Sequence, residues 1–259
     1  MPESDGALLV RAAEAAAEVA LAYRGGPLDI RLKAQDGSPV TAADLAVNDR
    51  LEQILRTARP GYGWLSEESA DAPARLASER VFIIDPIDGT RSFIEGEDSW
   101  AHSLAIAERG EVIAAAVLLP VLGLGYAATR GRGATLNGAP LTVTRQGDLT
   151  RAHVLAPKPV LDPGFWRGTV PGFRRSHRPS LAWRLALVAE ARYDAMLTFR
   201  PTWEWDIAAG TLILQEAGAR VTDRFGRPLA FNARSAQHEG VIAANPALHD
   251  DILARLHPR

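Results

Sequence analysis

Apolar positions along this chain recur at two spacings, and the change from one to the other marks out its elements. Leu8, Ala12, Ala15, Val19 and Tyr23 fall on one face at helical spacing. Ser4 suits the cap of that helix and Asp5 its first turn, while Gly25, Gly26 and Pro27 stop it. Residues 33–38 read as a polar loop around Asp36-Gly37. Thr41 followed three residues later by Asp44 predicts a second helix start, related to a capping box. Leu45, Asn48, Leu51 and Leu55 carry it toward Pro60. Residues 62–65 predict a short strand that ends in Ser66-Glu67-Glu68-Ser69, and 81–84 a buried one. After a loop or short helical turn over 91–98, three apolar runs follow at 100–107, 112–119 and 125–129. Polar and Pro/Gly punctuation between them predicts an antiparallel meander, and Asn137-Gly138 a further tight turn.

Near residue 145 the pattern gives way to alternating strands and helices, dividing the chain into 1–145 and 146–259. Strands are expected at 153–156, 195–199, 221–223 and 241–244. Residues 157–179 are loop-rich and basic, with Arg167, Arg174, Arg175, His177 and Arg178. Ser180 suits the cap of a helix to about residue 192, with Leu181, Leu185 and Val188 inward. Arg200-Pro201-Thr202 leads into a helix over 203–218, and a last helix spans 246–256.

Composition narrows the function. A hydrophobic share of 47% against 23% charged is that of a globular chain with a large core. A net charge of −2 supplies no basic field for a nucleic-acid polymer. Zero cysteines exclude disulfides, thiolate metal sites and a cysteine nucleophile. Neither a signal-peptide pattern nor an apolar run of membrane-spanning length is present, so the expected compartment is the cytoplasm. The six histidines form no ligand cluster in sequence and read as surface or packing residues.

The chemistry concentrates in Asp85-Pro86-Ile87-Asp88-Gly89-Thr90, directly after the 81–84 strand. Pro86 stiffens the turn and Gly89 tolerates unusual backbone angles. Two carboxylates with the Ile87 carbonyl between them offer hard oxygens suited to Mg²⁺ or Mn²⁺. The N–H groups of Gly89 and Thr90 face an anion in this reading, with the Thr90 hydroxyl beside the metal. The bland alternative is a strand end and a polar turn. Asp44 and Asp206 are first-turn acids of their helices, a position that stabilises a helix without any chemistry. Ala208-Ala209-Gly210 allows a close approach of another backbone, and Trp203 and Trp205 are candidate pocket walls.

Taken together, Val40-Thr41-Ala42-Ala43-Asp44, Ser66-Glu67-Glu68-Ser69, Asp85 to Thr90, and Trp205-Asp206 with Ala209-Gly210 resemble the ordered blocks of the inositol monophosphatase family. The resemblance covers nearly the whole chain and implies a layered αβαβα sandwich, with an antiparallel sheet in the N-terminal half and a mixed sheet in the C-terminal half. It implies a first Mg²⁺ on Glu67, Asp85 and the Ile87 carbonyl, and a second on Asp85, Asp88 and Asp206. Some relatives carry a third, weaker Mg²⁺ near the position of Glu67, and Mn²⁺ is a substitute. Asp44 and Thr90 resemble the pair that orients and deprotonates the attacking water. Lithium sensitivity is a further implication. The expected substrate is a small phosphorylated metabolite, and the look of Glu204-Trp205-Asp206 and Arg91 favours a 3'(2'),5'-bisphosphate nucleotide. Ser180, Arg184 and Arg200 are the other expected substrate contacts. Inositol 1-phosphate and histidinol phosphate are the alternatives. Phe199 stands where inositol enzymes commonly carry a Glu seven residues before the last Asp. A non-catalytic regulator that keeps the fold is the reading from a different class. No membrane partner is expected, and a homodimer is left open.

Overall fold

The computed structural model describes residues 3–34 and 37–258. Helix α1 (Asp5–Tyr23) is capped by Ser4, whose side chain accepts from the Ala7 N–H. A short antiparallel pair, β1 (Arg31–Leu32) and β2 (Pro39–Val40), flanks the expected 33–38 loop, a pairing that the sequence did not announce. Asp36, in the middle of that expected loop, lies outside the described residues. Helix α2 (Ala42–Ala58) opens with the complete capping box: the Thr41 side chain accepts from the helix, and Asp44 accepts from the Thr41 N–H.

Next come β3 (Gly63–Ser66), β4 (Arg80–Asp88), the one-turn α3 (Thr90–Ile94), β5 (Ala101–Glu108), β6 (Glu111–Leu119), β7 (Leu124–Thr129), β8 (Ala134–Leu136) and β9 (Ala139–Pro140). They form a seven-stranded sheet in the order β3-β4-β5-β6-β7-β8-β9. Only β3 and β4 are parallel, so the expected antiparallel meander carries one parallel edge pair. Asn137 and Gly138, with φ of 48° and 82°, make the two-residue turn between β8 and β9.

The second sheet is mixed, as expected: β10 (His153–Leu155), β11 (Arg174–Ser176), β12 (Ala195–Trp203), β13 (Arg220–Thr222) and β14 (Gln237–Ala244) lie in the order β11-β10-β12-β14-β13. Helices α4 (Leu181–Ala189), α5 (Glu204–Glu216) and α6 (Pro246–Arg255) accompany it. Strand β12 runs past Phe199 to Trp203, through Arg200-Pro201-Thr202, with a register shift between Thr198 and Pro201 that accommodates the proline.

Layering follows from which faces are apolar. Phe82, Ile84, Leu104 and Ile106 on one face of the large sheet pack under α1 and α2. On the other face Val81, Ile83 and Leu65 meet Leu185, Leu187, Ile207 and Ile213 of α4 and α5, together with Met196 of the second sheet. The two helices are thus the filling between the sheets. At Gly210 an added Cβ would stand 2.6 Å from the Leu185 side chain, so the small residue lets α4 lie against α5. Leu→Ala changes in such fully buried positions cost about 2–5 kcal/mol. Among the described residues no helix is long and apolar enough to cross a membrane.

Candidate active site

The strand β4 does not stop where its apolar run stops. Asp85 pairs with Ser103 and Asp88 with Ala101 in the β4–β5 register, with an irregularity between them that contains Pro86 and Ile87. The turn expected over 85–88 is therefore a bulged end of a sheet strand. Gly89 follows with φ of 103°, a left-handed conformation that a residue with a Cβ adopts only under strain. Behind the bulge, buried His102 of β5 turns Nδ1 to the Pro86 carbonyl. Burial pushes its pKa down to about 4, so the ring is neutral and Nδ1 carries the proton.

Carboxylates converge on this strand end from three directions. Donor oxygens of Glu67, Asp85 and Asp206 lie within 4.8 Å of one another. Glu67 stands just past β3 and Asp206 in the first turn of α5, so the large sheet and a helix packed on it both contribute. Asp85 is 1% exposed and its Oδ1 has no hydrogen-bond partner. Burial, then the charges of Glu67, Asp88 and Asp206, raise its pKa well above the ordinary range. Burial, then Asp88 and Glu67, do the same to Asp206. Such a cluster is repulsive on its own and complementary to hard cations.

Asp88 is also buried, and burial raises its pKa, but its Oδ2 accepts from the Ser180 hydroxyl and from the Ala182 N–H, both at 2.6 Å. Asp44, 1% exposed, accepts from the Thr41 N–H and hydroxyl through Oδ2. Its Oδ1 lies 3.2 Å from the Thr90 hydroxyl, which is also 3.2 Å from the Ile87 carbonyl. Burial raises the Asp44 pKa against the opposing hydrogen bonds of Thr41 and Thr90.

A cation of the chain itself is already here. The Lys33 ammonium donates to Glu67 at 2.6 Å and to Glu68 at 2.7 Å. Burial opposes its charge, yet Glu67 and Glu68 raise its pKa above the ordinary value. Burial and the neighbouring Glu67 push Glu68 up to about 7 despite Lys33. The sequence reading passed over Lys33, although it is one of only two lysines in a chain with 29 basic residues.

The expected substrate contacts divide. Arg184, His177, Thr198, Phe199 and Arg200 line a cavity of about 250 Å³ together with Phe165 and Val160. Arg184 is 6% exposed, and burial pushes its pKa down to about 10. Its Nη2 donates to the Pro179 carbonyl at 2.8 Å and its Nε to that of Arg178. Arg200 is exposed at the strand bulge, and Arg91 is exposed on α3. Ser180 and Glu204 face inward instead. Ser180 is fully buried because it caps α4 and serves Asp88. Glu204 is fully buried because both its oxygens accept from the backbone of Asn232 and Ala233. Trp203 and Trp205 stack on each other at 4.6 Å, and the aromatic wall of the cavity is made by Phe165 and Phe199.

Layered sheets with a cluster of carboxylates at the end of β4, beside a carboxylate–hydroxyl pair, are the architecture of a class of metal-dependent phosphatases. The chain belongs to the inositol monophosphatase family, whose model matches residues 3–258. An inositol-1-monophosphatase of Rhizobium meliloti is 36% identical over 79% of this chain and 80% of its own. A histidinol-phosphatase of Mycobacterium tuberculosis is 34% identical over 90% and 91%, and a 3'(2'),5'-bisphosphate nucleotidase CysQ of Shigella flexneri 31% over 81% and 86%. Among solved structures, the extragenic suppressor protein SuhB of Bartonella henselae superposes with a TM-score of 0.81 at 27% identity, covering 95% of this chain and 96% of that one.

Proposed function

We propose that this phosphatase hydrolyses a 3'(2'),5'-bisphosphate nucleotide, adenosine 3',5'-bisphosphate in the first instance, releasing one phosphate. Support for a divalent-cation site comes from the unpaired oxygen of buried Asp85, with half-buried Glu67 and Asp206 beside it, a donor set of hard oxygens only. Glu67, Asp85 and the Ile87 carbonyl would hold one Mg²⁺, and Asp85, Asp88 and Asp206 another. Mn²⁺ would substitute. The ions supply acidified water and offset charge on the phosphoryl and leaving oxygens. Asp44 and Thr90 do the proton work. A water donating to the Thr90 hydroxyl oxygen loses its proton through it to Asp44 Oδ1, which lies 3.2 Å from that hydroxyl. A raised Asp44 pKa brings that base closer to the working pH. As water oxygen bonds to phosphorus, the ester oxygen leaves and takes a proton from solvent. Gly89 and Thr90 would hold the phosphate through their N–H groups.

The substrate choice rests on one observation, the cationic cavity beside Asp206. Arg184 and Arg200 both act on the Asp206 carboxylate, and together with Arg175 and Arg178 they depress the His177 pKa behind burial. That field suits a second phosphate and opposes the cationic side chain of histidinol phosphate. Phe199 offers an inositol hydroxyl no partner and an adenine an apolar face. The test is kcat/KM for phosphate release from adenosine 3',5'-bisphosphate, inositol 1-phosphate and histidinol phosphate. At least about tenfold preference for the bisphosphate is expected, and Arg200→Ala should remove most of it. A preference for either alternative on the wild-type chain overturns the choice.

A further inference from the structure

Helix α5 begins without a side-chain cap, since Trp203 at the N-cap position provides none. Its first turn carries Asp206, and the two residues before Asp206 are tied down in another way. The Glu204 N–H donates to the Ala236 carbonyl at 2.9 Å. The Trp205 carbonyl accepts from the Ser103 hydroxyl of β5 at 3.0 Å. The Glu204 carboxylate accepts from the Asn232 N–H at 2.6 Å and the Ala233 N–H at 2.8 Å. Asn232 has φ of 64°, a left-handed turn of the kind that aims successive N–H groups at one anion.

Arg75 grips the other side of the same loop. Its Nη1 donates to Asn232 Oδ1 at 2.6 Å and its Nη2 to the Ala233 carbonyl at 3.0 Å, while Asn232 Nδ2 donates to the Arg75 carbonyl at 3.1 Å. Arg75 is 2% exposed and is itself fixed by Asp71. It lies in the 3₁₀ turn 73–77 that joins β3 to β4. Those strands deliver Glu67 and Asp85. A chain of contacts, from buried Arg75 through the half-buried Asn232 loop to buried Glu204, thus links the connector between the first two acids to the helix turn that bears the third.

We propose that Arg75, Asn232 and Glu204 are positioning residues that set the separation of Asp206 from Glu67 and Asp85. The inference rests on the reading of these acids as a divalent-cation site. None of the three residues contacts cation or substrate; they act through the backbone of residues 204–206. A rigid link of this kind matters because cation affinity depends on donor spacing to a few tenths of an ångström.

The test compares wild type with Asn232→Gly, Arg75→Met and Glu204→Gln, and with Arg80→Met as a control. Arg80 pairs with Asp5 and Glu108 and has no contact with this loop. Asn232→Gly keeps the left-handed backbone and removes only the side-chain link to Arg75, so it retains the fold if the others do not. Mn²⁺ binding is measured by the electron paramagnetic resonance signal of the free ion, and the Mg²⁺ concentration for half-maximal phosphate release alongside. We expect Mn²⁺ Kd and Mg²⁺ half-saturation to rise at least tenfold in Asn232→Gly and Arg75→Met, with KM for substrate moving less. The control should lower Tm and leave Mn²⁺ Kd unchanged. Wild-type Kd in both variants, whatever their Tm, overturns the positioning role alone. No Mn²⁺ binding by the wild-type protein takes down the cation site and this inference with it.

Discussion

The Ser180 hydroxyl donates to Asp88 Oδ2 at 2.6 Å, and this contact joins the bulged end of β4 to the start of α4. The same hydroxyl accepts from the Trp183 N–H at 3.0 Å, while the Ala182 N–H reaches Asp88 directly. Asp88 is therefore an external anion at a helix start, where exposed N–H groups favour negative charge.

Ser180→Ala removes a bond to a buried carboxylate and a helix cap together. The expected loss of unfolding free energy is about 2–4 kcal/mol, measured by urea denaturation. A loss under about 1 kcal/mol would mean that the backbone N–H groups of Leu181 and Ala182 hold Asp88 without Ser180.

Asp85→Asn should separate stability from function. It deletes a buried charge that Glu67, Asp88 and Asp206 oppose. We expect a higher Tm than wild type in EDTA, no further rise on adding Mg²⁺, and phosphate release reduced by at least about 10³-fold. Activity within tenfold of wild type would remove Asp85 from the cation site.

Lys33→Met takes away the ammonium that neutralises Glu67 and Glu68. The metal-free protein should lose Tm, and the Tm gain on adding Mg²⁺ should become larger than in wild type, because the ion now relieves more repulsion. An unchanged Mg²⁺-induced shift in thermal scans counts against this reading of Lys33.

The pH dependence has opposite signs for two sets of groups. Glu68 is raised from 4.5 to about 7, so the stability it contributes is present below 4.5 and lost as pH rises to about 7; Asp85 and Asp206 act in the same direction. Bound Mg²⁺ keeps the site acids ionised, so the Tm difference between Mg²⁺ and EDTA should widen as pH rises across that window. His102 and His249 are lowered from 6.5 to about 4 by burial, so their stability is present above 6.5 and lost as pH falls toward 4. Thermal scans at saturating Mg²⁺ should show Tm falling over that lower range. A constant difference between the two conditions would argue against charged acids at the site.

Much of this was readable in the residues themselves. The Thr41–Asp44 capping box, the Ser180 cap and the Asn137-Gly138 turn are local signals, decided by chemistry within four residues. Most acids of the candidate site stand at element ends, Glu67 just past β3, Asp88 closing β4, Asp44 and Asp206 in first helical turns, whereas Asp85 lies inside β4 and was marked only by the Pro and Gly that follow it. Glu204 was misjudged because its partners, Asn232 and Ala233, are 28 and 29 residues away, and nothing local tells a buried carboxylate from an exposed one. Lys33 was missed because two-residue strands carry no periodicity. The continuation of β12 past Pro201 depends on Gly240 of β14, where a Cβ would stand 2.4 Å from the Thr198 carbonyl. That allowance lies on the neighbouring strand, out of reach of a pattern read along one segment.

Because Asp85 and Asp88 are rungs of the β4–β5 ladder, their backbone is fixed by the sheet before any ion arrives. Conformational freedom is surrendered during folding and not during cation uptake. Calorimetry of Mg²⁺ binding should then report a small heat and a favourable entropy dominated by water leaving the ion. Chelation, for its part, should leave amide exchange in β4 and β5 as slow as it was with the ion present.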